Sequence, residues 1–166
     1  MLQDLLSSRD ALHSLCVNLT AESALRHPAA DRWSIAEIVD HLTISERRFV
    51  IGIKRTISQP PASPELLLQT REIQPILDNH IAVPTRKAQA PETVRPESSS
   101  WPEALEAFLS QREKTIALYE IASPALHTHV LAHPLFGPMT VAQWFQFTIG
   151  HTRRHCLQIQ ANLLTP

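Results

Sequence analysis

The segment Val141-Ala142-Gln143-Trp144-Phe145-Gln146-Phe147-Thr148-Ile149-Gly150-His151-Thr152-Arg153-Arg154-His155 sets the architecture of this chain. Val141, Trp144, Phe145, Thr148, His151, His155, Ile159 and Leu163 recur at the three- and four-residue spacing of related helical faces. Thr140 and Gln143 stand ahead of them at capping-box spacing, so a helix should begin there. On its inward stripe His151 and His155 take places that hydrophobic residues would otherwise fill. Four residues turn a helix by about 400°, leaving the two rings about 40° apart in direction and about 6 Å apart along the axis. Both imidazoles can therefore reach one point beside the helix, and a shared metal ion would satisfy both. The other reading is two unrelated histidines, one buried and one exposed.

Just upstream, Ala125 to Met139 contains two prolines and Gly137 in its second half, which predicts a turn. His127 and His129 suit a solvated strand or loop edge. His133-Pro134 leads directly into the last helix, which makes His133 a candidate to line a site there. Ser100 and Glu103 match a second capping box, opening a helix that runs to about Ile121 and stops at Ser123-Pro124. Residues 59–100 carry Pro60, Pro61, Pro64, Pro75, Pro84, Pro91 and Pro96, which should break any long element. They read as an extended crossover, with a short helix from Glu65 to Ile73 and a polar end at Pro96-Glu97-Ser98-Ser99-Ser100. Such a long loop suits a structural strap with a secondary role as a site lid.

Ser34 and Glu37 open another helix with the same box, and Ile35, Ile38, Val39, Leu42, Phe49, Ile53 and Ile57 carry it to about Ser58. Trp33 is placed to staple onto its first turns. His41 lies beside this apolar stripe. A lone histidine there is ordinarily a hydrogen-bonded residue at the core edge. Residues 2–25 carry Leu2, Leu5, Leu6, Leu12, Leu15, Cys16 and Leu19 at helical spacing, predicting a first helix that ends before Pro28.

A chain of 166 residues suits one domain, 1–166, with a sizeable core. Three glycines favour long helices over tight hairpins. The net charge of −1 and scattered basic residues speak against a nucleic-acid surface. No apolar run approaches the ~20 residues that span a bilayer. Met1-Leu2-Gln3-Asp4-Leu5-Leu6 lacks the charged start of a secretory signal. Cys16 and Cys156 form no local motif and read as buried thiols in a reducing cytoplasm.

The chemistry narrows further. The metalloprotease pattern places a glutamate after the first histidine, where this chain has Thr152. The paired Glu-x-x-His motifs of di-iron bundles are absent from the sequence. Trp33-Ser34-Ile35-Ala36-Glu37-Ile38-Val39-Asp40-His41-Leu42 resembles the second-helix signature of the DinB/YfiT-like family. His133-Pro134-Leu135-Phe136-Gly137-Pro138-Met139-Thr140 and His151-Thr152-Arg153-Arg154-His155-Cys156-Leu157-Gln158-Ile159 resemble its C-terminal signature. The long Pro-rich crossover between helices 2 and 3, read from its prolines, does not carry the family pattern. The resemblance implies an all-α, up-down-down-up four-helix bundle. It implies a divalent metal, zinc, nickel or iron, held by His41, His151 and His155. It further implies a transferase acting on a small electrophile with a low-molecular-weight thiol, or a metal-dependent hydrolase, and a homodimer. A non-catalytic metal- or ligand-binding module is the competing class.

Three imidazoles leave part of a cation's shell open to water or thiol, as in catalytic sites. Glu37, His133 and Gln158 are the candidates to steady the rings from behind. For Glu37 and Gln158 a purely structural role is an equal expectation.

Overall fold

Helix starts follow the caps. The computed structural model describes residues 1–82, 90–96 and 100–165. α3 (Ile35–Ile57) and α6 (Val141–Leu163) each begin at a complete capping box, Ser34/Glu37 and Thr140/Gln143. α5 (Glu103–Ala122) does not. Its cap is Pro102, without a side-chain bond, where the sequence predicted Ser100. The reason is Trp101: its ring is buried and its indole N–H donates to the Leu19 carbonyl at 3.1 Å, so the chain turns into the helix only after it.

Two further expectations are corrected. The first predicted helix is divided into α1 (Leu2–Cys16) and a short α2 (Ala21–Leu25). Thr20 starts α2 by accepting the Ser23 N–H at 3.2 Å. Among its described residues the crossover is largely helical: α4 spans Pro64–Ala82 with Pro75 inside it. Ser63 accepts the Leu66 N–H and Pro64 occupies the first turn, where its missing N–H costs nothing. Thr70, Ile73 and Leu77 form its buried stripe, so tertiary packing outweighs the penalty of Pro75. Residues 83–89 and 97–99 of the predicted crossover lie outside the described residues.

The bundle's directions follow from two apolar clusters, one at each end. α1 runs from Leu5 in the first cluster to Leu12 and Cys16 in the second. α6 runs the same way, from Phe145 and Ile149 to Cys156 and Ile159. α3 and α5 run oppositely, from Leu42 and Phe108 in the second cluster to Ile53 and Leu118 in the first. The order is therefore up-down-down-up. α3 packs beside α5 and α6, and α1 packs beside the same two helices.

Before α6 the chain forms a two-stranded antiparallel hairpin, β1 (Val130–His133) and β2 (Gly137–Thr140). Gly137 turns it with φ of 82°, a conformation that side chains strongly disfavour. The hairpin packs on α6, and β2 also touches α4.

Candidate metal centre

His41 stands in the second turn of α3, while His151 and His155 stand one turn apart on α6. Because α3 and α6 are antiparallel neighbours, the three rings meet at the end of the bundle occupied by the second apolar cluster. His41 Nε2 lies 3.2 Å from His151 Nε2, which lies 3.1 Å from His155 Nε2. All three ligand nitrogens fall within 4.8 Å of one another. His41 and His155 are buried, and His151 is half-buried.

The far nitrogens fix what the near ones present. His41 Nδ1 donates to the Val94 carbonyl at 2.6 Å. His155 Nδ1 donates to Gln158 Oε1 at 2.9 Å. With Nδ1 carrying the proton, neutral His41 and His155 both present an Nε2 lone pair. A neutral His151 could donate to one of them, not to both. A cation between the three nitrogens would satisfy them all. Tetrahedral zinc at the usual 2.0–2.1 Å would separate its nitrogens by about 3.3–3.4 Å, within a few tenths of an ångström of the two contacts here. The donor set therefore fits a divalent metal.

Electrostatics keep the rings ready. Burial pushes His155 down from 6.5 to about 3, with His41 and Arg154 adding to the shift against the Gln158 hydrogen bond. Burial also lowers His41, opposed by its bond to Val94. Both rings are neutral near pH 7, the form that ligates metal. Trp33 packs against His41 with ring centroids 4.9 Å apart, and Phe147 stacks on His151 at 5.2 Å. Among the described residues no cysteine or carboxylate joins the three histidines as a further ligand.

The other candidates occupy different places. Gln158 is against His155, as above. The Glu37 carboxylate accepts the Ser34 N–H at 2.8 Å and lies 3.5 Å from His27 Nε2, so it serves the helix start. His133 is buried one ring further out: it packs on Phe147 at 4.7 Å, and its Nδ1 accepts the Leu135 N–H. Val94 was not anticipated, because a backbone carbonyl leaves no mark in a sequence. It comes from a 3₁₀ turn at Glu92–Val94, so the crossover itself reaches the site. Cys16 and Cys156 are free, and burial pushes their thiols up to about 12 and about 11. No helix among the described residues is long and apolar enough to cross a membrane.

Comparison with known proteins places nearly the whole chain in a family and a fold. The sequence profile of the DinB superfamily matches residues 4–159. The uncharacterized protein YuaE of Bacillus subtilis (strain 168) is 26% identical over 142 residues, covering 86% of this chain and 84% of that protein. The crystal structure of TT2238, a four-helix bundle protein, superposes with a TM-score of 0.61 at 17% identity, covering 96% of this chain and 95% of the other. That likeness concerns the fold.

Proposed function

The chain belongs to the DinB superfamily, and from that footing we propose that it is a metal-dependent enzyme joining a low-molecular-weight thiol to a small electrophile. His41, His151 and His155 would hold the divalent cation, zinc, nickel or iron. One observation carries this reading: three imidazole nitrogens converge, with no further histidine, cysteine or carboxylate among the described residues, a three-ligand set as in catalytic sites. A cation there would supply a Lewis acid that favours the thiolate form of an incoming thiol.

The protein's own residues orient the rings. Val94 and Gln158 hold two rings with their lone pairs inward. Trp33 and Phe147 pack against the rings of His41 and His151. The chain's own thiols are buried and protonated at neutral pH, so the reacting thiol comes from solution.

The test is elemental analysis of the purified protein beside His41→Ala, followed by turnover of a reactive organic halide with a panel of cellular thiols. About one metal per chain in the parent, its loss in the variant, and conjugation with one thiol are expected. A metal-loaded protein that conjugates no thiol overturns the transferase reading. The open position also suits a water, so hydrolysis of an ester or amide without thiol would identify a hydrolase instead. Absence of metal in the parent overturns both.

A further inference from the structure

Between the two apolar clusters lies a buried polar layer built around Arg112, whose side chain is fully buried. Its Nε donates to both Glu46 oxygens on α3, at 3.0 and 3.1 Å, and its Nη2 donates to Glu46 Oε1 as well. Nη1 donates to the Leu5 carbonyl at 3.0 Å and to Ser8 Oγ at 2.7 Å, both on α1. Nη2 also donates to Thr152 Oγ1 on α6 at 2.6 Å. The Thr152 hydroxyl gives its own proton to the Thr148 carbonyl at 3.0 Å, which turns a lone pair toward the guanidinium. One rigid planar group on α5 thus grips α1, α3 and α6 together.

We propose that Arg112 is a positioning residue for the histidine triad, setting through Glu46 and Thr152 the relative roll of the two helices that carry it. The proposal rests on the metal reading above. Thr152 is about 100° around α6 from His151 and about 60° from His155, while Glu46 is about 140° around α3 from His41. Fixing residues 46 and 152 to one guanidinium therefore fixes the directions of all three imidazoles. The magnitudes make this matter. At a side-chain radius of about 5–6 Å, a helix roll of about 10° moves a ring nitrogen by about 1 Å. Metal–ligand distances tolerate about 0.2 Å. Apolar packing resists a roll through many small, non-directional contacts. A forked, charge-assisted hydrogen-bond set is directional.

Two variants separate positioning from plain stability. Thr152→Val keeps the volume and removes the α6 acceptor. Ser8→Ala removes an acceptor from the same guanidinium on α1, which carries no histidine of the triad. Purified full-length proteins would be titrated with Co²⁺ and followed by their visible ligand-field bands and thermal midpoints. Both variants should melt earlier. Thr152→Val should weaken Co²⁺ binding about tenfold or more and alter the bands, the low end of what losing a direct hydrogen-bond partner of a ligand costs. Ser8→Ala should keep the parent affinity and bands, and Thr152→Ser should restore both.

In metal-free protein, nuclear Overhauser contacts between the His41 and His151 rings should weaken in Thr152→Val and persist in Ser8→Ala. Equal Co²⁺ affinities in Thr152→Val and Ser8→Ala, with unchanged ring contacts, overturn the proposal. If the parent takes up no Co²⁺, the metal reading falls, and the ring contacts alone decide the positioning role. Should Thr152→Val fail to fold, Arg112→Lys takes its place. It keeps the charge for Glu46 without the fork that spans three helices, and the same outcomes apply.

Discussion

His155 couples stability to pH. Its folded value of about 3 lies below the ordinary 6.5, so between those limits the unfolded chain binds the proton that the folded chain refuses. The stability contributed by neutral His155 is whole above about pH 6.5 and is lost as pH falls toward 3. His41 is shifted in the same direction. Metal-free protein should therefore show a falling urea midpoint from pH 7 to pH 4, and His155→Phe should flatten that slope. Gln158 holds the proton on the far side of the ring. Gln158→Leu should weaken metal binding by about 10- to 100-fold, read by competition with a chelating dye, while His41→Ala should abolish it. The buried Cys16 and Cys156 should not react with an aromatic disulfide reagent until denaturant is added.

The helices are defined by their ends as much as by their stripes. Thr140→Ala removes the hydroxyl that accepts the Gln143 N–H, and Ser34→Ala removes the matching one at α3. Each should cost about 1 kcal/mol in urea unfolding. Gln143 does double service, since its amide also donates to the Thr70 carbonyl at 2.8 Å and ties α6 to α4. Gln143→Leu should therefore loosen α4 as well, visible as faster amide exchange around Thr70. Gly52 lies where α3 meets β1: a Cβ there would stand 2.9 Å from Leu131 Cδ2. The obstacle is the tip of a flexible side chain. In Gly52→Ala a modest Leu131 shift should therefore offset much of the gain in helix propensity, roughly 1 kcal/mol.

Across the molecule, the Arg112–Glu46 pair divides the core into two apolar halves and joins α5 and α3 to α1 and α6. Thr115 completes it by donating to Glu46 Oε2 at 2.8 Å. A buried pair of this kind is costly to break and cheap to replace whole. Glu46→Ala should destabilise by about 3–5 kcal/mol, because it strands a buried guanidinium. Replacing both residues with Met should recover much of that loss in urea unfolding, yet leave the triad without its common reference.

Local periodicity determined a great deal here. The caps at Ser34 and Thr140, the inward faces of α3 and α6, and the convergence of His151 with His155 on one side of a helix all follow from spacings of three and four. Those relations span a single turn, so the sequence carries them in full. The resemblance supplied His41. Tertiary structure decided what depends on partners distant along the chain. Pro75 sits inside α4 because Ile73 and Leu77 have a core to enter. α5 starts after Trp101 because Leu19 offers a carbonyl. Val94 holds His41 through a backbone oxygen that every residue possesses. Arg112 and Glu46 lie in the core because each finds the other there. Contacts of this kind are energies between remote segments, and no local pattern of residue types encodes them.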